Sequence, residues 1–283
     1  MLGIALAFGS AAAWGCGDFL SGLMSRRLPL LTVLLFTQAV GVPLMLMAAL
    51  VNGLPADWSF IPLGCLAALG GLTGLGALFR GMAVGAMSLV APLSATSAAI
   101  PVLVGMVTGE VPTVLQGLGV LLALVGVMLA SRQAAEPYAT ERRALAAGAG
   151  YGLVAALGFG AFYVILRAAT TAAGGDPFWP VVAARSTGTL IMIGLVLAVR
   201  PSLKVRPTEF GTLMGAGALD VAANALYAAA SNTGIGPLAA VLSSLFPITT
   251  IALARLFLHE RLARTQSLGV LSALAGVALI AWR

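Results

Sequence analysis

Charge is scarce in this chain. Only 8% of its 283 residues are Asp, Glu, Lys or Arg, against roughly a quarter in a water-soluble domain, so a polar shell around a soluble core is excluded. Lysine occurs once, as Lys204, in a segment with no GxxxxGK[ST] before it, which excludes a P-loop nucleotide-driven pump. Histidine also occurs once, as His259, with no HExxH and no Cys/His cluster; no metal site, no cofactor and no metalloenzyme is expected. Cys16 and Cys65 both fall within apolar runs and read as packing residues, not as a disulfide framework. The formal charge of +6 comes from 15 basic residues spread singly and in pairs, and without a basic patch nucleic acid is excluded as a partner.

What the chain has instead is 60% hydrophobic residues, arranged in runs of about 17–24, the length a helix needs to cross hydrocarbon. Backbone in lipid is satisfied only by helices or a closed barrel. Barrel strands alternate polar and apolar residues in segments of about ten, and these runs do not. The fold class is therefore an all-α integral membrane protein with membrane lipid as its main solvent, multi-pass in the cell membrane. Charges, prolines and polar clusters bound ten predicted spans at residues 2–24, 29–51, 60–84, 87–108, 113–131, 144–167, 177–199, 209–231, 236–257 and 265–282. The first run starts at Leu2 with no Lys or Arg ahead of it and no cleavage-site pattern after it, so it reads as a retained span.

The longest connection, 132–143, divides the chain into a first repeat at 1–131 and a second at 144–283. At an offset of 150, Glu110, Gln116, Gly119 and Gly126 fall on Glu260, Gln266, Gly269 and Gly276. At 149, Gly85, Leu89, Leu93 and Ser94 fall on Gly234, Leu238, Leu242 and Ser243. At 145, Trp14-Gly15 falls on Phe159-Gly160. Five spans per half is an odd number, so the halves must run in opposite senses, the inverted-repeat plan of secondary transporters. Loop charge agrees. Arg26, Arg27, Arg80, Arg132, Arg142, Arg143, Arg200, Lys204, Arg206, Arg255, Arg261 and Arg264 lie in or beside odd-numbered connections, and only Arg167 and Arg283 lie on the other side. The positive-inside rule makes the odd connections cytoplasmic and both termini external.

Taken in order, Ala13-Trp14-Gly15 in span one, Leu157-Gly158-Phe159-Gly160 in span six, the Leu-rich spans four and nine ending at Gly109-Glu110 and His259-Glu260-Arg261-Leu262, and the Gly-spaced spans five and ten resemble the EamA-type carriers of the drug/metabolite transporter superfamily. The resemblance implies a basket of helices whose central cavity is lined by spans one, three, four, six, eight and nine. It also implies a secondary transporter, in the export direction, for small metabolites such as amino acids or drug-like compounds. Proline marks the middle of span nine at Pro247, whereas the first half has Ala98 there and Pro101 about a turn later, which leaves the bend of span four open.

Ionisable residues inside spans cost a few kcal/mol at the bilayer centre and are functional candidates by default. Here they are Asp18 in span one, Asp220 in span eight and Arg185 in span seven. Either aspartate can serve a substrate or a coupled proton, or can pair with Arg185 and lock two helices together; Arg185 reads first as such a lock. Trp14, Phe79, Phe159, Tyr163 and Tyr227 are candidate pocket aromatics, and Ser94, Ser97, Asn224, Ser243 and Ser244 are candidate polar contacts. All of these residues also serve ordinary helix packing, through rings or through interhelical hydrogen bonds worth about 0.6 kcal/mol. Gly70/Gly74, Gly81/Gly85, Gly148/Gly152 and Gly211/Gly215 predict close helix approaches. A channel or facilitator stays open beside the carrier reading, as does a hydrolase using Asp18 and Asp220 together, and the assembly is a monomer or homodimer.

Overall fold

Helices are the regular elements throughout the computed structural model, which describes residues 1–55, 57–107, 109, 113–130, 139–176, 178–230, 233, 239, 242, 243 and 245–281. In chain order they are α1 (Leu2–Ser25), α2 (Leu30–Asn52), α3 (Ile61–Val84), α4 (Met87–Ala95), a 3-10 turn (Thr96–Ala98), α5 (Ala99–Val107), α6 (Val114–Ala130), α7 (Ala139–Ala172), α8 (Phe178–Val199), α9 (Pro207–Ala230), α10 (Phe246–Leu258) and α11 (Arg264–Ala281). The segment from α4 to α5 is span four, so these helices make the ten spans. Six stretches, Leu2–Ser25, Leu30–Asn52, Ile61–Val84, Met87–Val107, Arg143–Ala172 and Phe178–Val199, are long and apolar enough to cross a membrane on their own. The 24-residue α9 carries Glu209 in its first turn and Asp220 and Asn224 further along.

Two boundaries depart from the sequence reading. α7 begins at Ala139, inside the expected connection 132–143. Span four is broken. Pro101 has no N–H to offer the Ser97 carbonyl, and its ring crowds that carbonyl, so the chain passes through the 3-10 turn at Thr96–Ala98 before resuming as α5. In span nine, Pro247 falls in the first turn of α10 and not mid-helix. With an offset of 149, the start of α10 matches the turn in span four, so both halves are interrupted at the same depth.

The packing scheme is that of a two-fold. Span three packs on span six as span eight packs on span one; three packs on seven as eight packs on two; four packs on six as nine packs on one. Spans two and seven, four and nine, and five and ten pair with their own repeat partners. Each of these contacts thus appears together with its exchange among the described residues, as in isologous pairing. Since each half holds five spans, the axis lies in the membrane plane.

The ends of the bundle agree with this inversion. At one end, Arg26 Nε donates to the Met82 carbonyl at 3.0 Å and its Nη2 to Glu260 at 3.0 Å, while Thr32 Oγ1 donates to the Ser202 carbonyl at 3.0 Å. This joins connections one, three, seven and nine, the Arg-rich set, and is called the basic end below. At the opposite end, Ser59 Oγ donates to the Ala172 carbonyl at 3.2 Å and Trp179 Nε1 to the Gly53 carbonyl at 2.9 Å. Trp58 packs edge-on against Trp179 there, as rings at a membrane interface do.

Small residues set the helix spacing. A Cβ on Gly85 would lie 2.7 Å from the Gly148 Cα, and one on Gly70 would lie 2.8 Å from the Phe162 nitrogen. Gly74, Gly81 and Gly152 are similarly crowded, by Phe159, Val90 and Leu93. The fourth expected pair differs. Gly211 and Gly215 have open space where a Cβ would sit, because that stripe of α9 turns away from both α1 and α2. α6 and α11 meet along Gly119, Gly126 and Gly276, while Leu118, Leu121, Leu124 and Met128 on the opposite face of α6 are exposed to lipid.

Candidate substrate cavity

Near the middle of the bundle α1, α2, α3, α7, α8 and α9 draw apart around a cavity of about 290 Å³, at the small end of ligand pockets, which run from roughly 300 Å³ upward. Its wall is duplicated. At an offset of 145, Trp14, Gly17, Asp18 and Ser21 face Phe159, Phe162, Tyr163 and Leu166; at 149, Ala68, Gly71 and Leu75 match Gly217, Asp220 and Asn224; at 147, Thr37 and Gln38 match Ala184 and Arg185. Both members of every pair line the cavity, so it sits on the pseudo-two-fold axis. Its charges are not duplicated. Asp18 is matched by Tyr163, Asp220 by Gly71 and Arg185 by Gln38.

Close helix approach places Asp18 next to α9. A Cβ on Gly17 would come 3.3 Å from the Ala216 carbonyl and 3.8 Å from the Asp220 nitrogen, so α1 and α9 nearly touch where they carry their aspartates. Ser10 Oγ reinforces the contact by donating to the Ala223 carbonyl at 2.8 Å. Asp18 and Asp220 interact electrostatically with one another and with Tyr163. Arg185 Nη2 is hydrogen-bonded to Asp220 Oδ2 in an ion pair. The guanidinium reaches it across Gly41 of α2, where a Cβ would stand 2.5 Å from Nη1; only glycine leaves room for that path. The pair is lopsided in exposure, 15% for the Arg185 side chain and 39% for Asp220, so the carboxylate is the member open to the cavity. Asn224 Nδ2 donates to the Asp220 backbone carbonyl at 2.7 Å, leaving its amide oxygen free of any hydrogen bond among the described residues.

The aromatic part of the wall clusters around Trp14. Its ring lies 6.3 Å from Tyr227 and 6.3 Å, edge-on, from Phe246, and Phe162 and Tyr163 meet edge to face at 5.5 Å. Geometry of this kind adds about 0.5–1.5 kcal/mol per pair beyond area burial and holds the rings in place before any ligand enters.

Of the residues expected at a site, the structure gathers Trp14, Asp18, Phe79, Phe159, Tyr163, Asp220, Asn224 and Tyr227 on this one wall. It does not gather the serines. Ser94 is buried with its hydroxyl on the Ala91 carbonyl at 2.8 Å, Ser97 is buried in the 3-10 turn, and Ser243 donates to the Ala7 carbonyl at 3.3 Å. Spans four and nine are consumed in packing on spans six and one and on each other. Ser244 lies outside the described residues. Among the described residues the wall is built by spans two and seven beside one, three, six and eight, and the described residues of spans four and nine are not on it; the glycines Gly41 and Gly188 let α2 and α8 close in around Arg185. Thr37, Gln38 and Phe162 were missed in the sequence. The repeat held the signal: Gln38 is Arg185's counterpart and Phe162 is Gly17's. Arg185, read first as a helix lock, is both partner of Asp220 and part of the wall; Arg80 is exposed on α3 and lies off the cavity.

Comparison with known proteins adds two findings. The model of the EamA-like transporter family matches residues 1–132 and again 146–282. A crystal structure described simply as that of a protein superposes with TM-score 0.62 over 98% of this chain and 95% of its own, at 15% identity, which is a likeness of fold. Comparison with curated proteins finds no match.

Proposed function

The chain belongs to the EamA-like transporter family, whose members move small solutes across membranes, and from that premise we propose that it exports a small metabolite by alternating access around the central cavity. The observation that carries this is the duplicated wall with unduplicated charges. A substrate on the pseudo-axis meets one Asp18, one Asp220 and one Arg185, while the matching scaffold around them lets the two halves exchange conformations. In this reading Trp14, Asp18, Phe79, Phe159, Tyr163, Asp220, Asn224, Tyr227 and Arg185 contact the substrate, and either carboxylate is the place where a coupled proton would bind. Residues 1–131 and 144–283 act as the two moving repeats, a division supported by the two separate family matches.

The test is counterflow. Proteoliposomes preloaded with unlabelled solutes from a panel of amino acids, amines and nucleosides are offered a trace of the same compound labelled. A carrier gives saturable uptake with a transient overshoot; a channel or facilitator gives linear equilibration without one. Linear uptake throughout, or no protein-dependent uptake, would remove the alternating-access proposal.

A further inference from the structure

The charges on the cavity wall do not cancel. Arg185 is already neutralised by Asp220, so Asp18 is left as the surplus, and among the described residues its carboxylate makes neither a hydrogen bond nor an ion pair. A carboxylate in a water-poor, largely apolar setting needs a partner charge or a proton. The same cavity is lined by rings with negative faces, Trp14 one helical turn before Asp18, Trp14's counterpart Phe159, and Tyr227, side chains that attract a cation over their faces.

We infer that the cavity takes a small monovalent organic cation bearing one ring, its ammonium against Asp18 and its ring among Trp14, Phe159 and Tyr227. This deepens the transporter reading and rests on it. The alternatives each meet an obstacle on the wall. An anion would place a second negative charge beside an unpartnered carboxylate, and Arg185, the one cation among the described lining residues, is already paired. A zwitterion would satisfy Asp18 with its ammonium, but its carboxylate would have to share the Arg185 guanidinium with Asp220, two negative charges against one cation. A neutral solute would leave Asp18 to be satisfied by a proton alone. A monocation completes the charge balance of an ionised Asp18 without breaking an existing contact, and a volume of about 290 Å³ holds it to a compact skeleton.

Three probes with one phenyl ring and similar length separate the cases by charge: phenethylammonium, zwitterionic phenylalanine and 3-phenylpropionate. Binding to the purified full-length protein is measured by scintillation proximity with tritiated phenethylammonium, the other two serving as competitors. The expected result is phenethylammonium binding at least tenfold more tightly than phenylalanine, with no competition from 3-phenylpropionate. Asp18→Asn abolishes the preference, while Asp18→Glu, which keeps the charge, retains it; the Glu variant separates lost charge from lost folding. Equal or tighter binding of phenylalanine or 3-phenylpropionate, a cation preference that survives Asp18→Asn, or no binding of any probe overturns the inference. Counterflow of some other solute in the same preparation would then leave the transporter reading standing, whereas its absence across the panel would end that reading instead.

Discussion

Replacing Glu260 by Gln tests the contact that joins three spans at the basic end. One carboxylate there receives four donors: Glu260 Oε1 accepts from Arg26 Nη2 at 3.0 Å and from the Met87 N–H at 3.1 Å, and Oε2 accepts from the Ser88 N–H at 3.0 Å and the Ser88 hydroxyl at 2.8 Å. Met87 and Ser88 open α4, so the acid of span nine serves as the N-terminal cap of span four while Arg26 ties it to span one. Gln keeps the shape but turns one acceptor into a donor facing two donors. Hydrogen bonds to charged groups contribute about 1.5–3 kcal/mol each and an anion at a helix N-terminus about 0.3–1 kcal/mol, or up to about 2 when partly buried. The Glu260 side chain is 12% exposed and that of Arg26 29%, so the loss is set below the roughly 3–5 kcal/mol of a fully buried broken pair, at about 2–4 kcal/mol. Two measurements read it. Thermal unfolding in detergent should move down, and a cysteine placed at the fully buried Met87 in a background lacking Cys16 and Cys65 should react with a maleimide about thirtyfold faster or more, since about 1.4 kcal/mol is tenfold. A double-mutant cycle with Arg26→Ala should give a coupling of roughly 1 kcal/mol or more. Unchanged melting together with a labelling rate altered less than about threefold would refute the latch.

Asp220→Asn should strand Arg185, costing about 1–3 kcal/mol because Asp220 is only part-buried, and adding Arg185→Gln should recover stability but not transport; a double variant no more stable than Asp220→Asn alone would contradict the pairing. Gly15→Ala should destabilise by about 1–3 kcal/mol, since its Cβ would lie 2.5 Å from Thr249 Cβ and 2.6 Å from the Phe246 carbonyl, whereas Gly150→Ala, with nothing within 4 Å, should be neutral or stabilising by about 0.5–1 kcal/mol. Equal melting temperatures for the two would refute the close approach of α1 to α10. A fluorescent protein fused at the carboxy-terminus should stay dark and a cysteine at Arg143 should be reachable only from the cytoplasm; the opposite pattern reverses the orientation without touching the fold.

The span text was legible because hydrocarbon imposes one requirement on all ten helices, and the repeat was legible because Trp14-Gly15, Ser94 and Glu110 return at nearly constant offsets. The broken span four was only half legible. Pro101 marked it, but Pro92 lies within α4 without ending it, since a proline kinks or breaks a helix according to what satisfies the freed carbonyl. The aspartates and rings could be named from rarity and from the duplicated motifs. Arg185 could not be assigned to the cavity from sequence, because its reach depends on Gly41, a residue 144 positions earlier whose missing side chain opens the path. Ser94 lies off the wall for the converse reason: a hydroxyl on a helix has the carbonyl three or four residues back as a ready acceptor, and Ser94 takes it.

The pairing of spans five and ten carries a consequence for assembly. α6 and α11 are joined backbone to backbone, with a Cβ on Gly119 standing 2.7 Å from the Gly276 carbonyl, and Ser272 Oγ donates to the Leu122 carbonyl at 2.9 Å across the same seam. Neither helix lines the cavity. Together with the reciprocal contacts of spans one with eight and three with six, this makes the molecule a heterodimer that happens to be one polypeptide. Severing the chain between residues 131 and 138 and producing the two fragments together should then yield a working protein, each fragment inserting according to its own loop arginines. Covalent continuity would serve to deliver the two partners in equal number and opposite orientation, and the architecture itself would not depend on it.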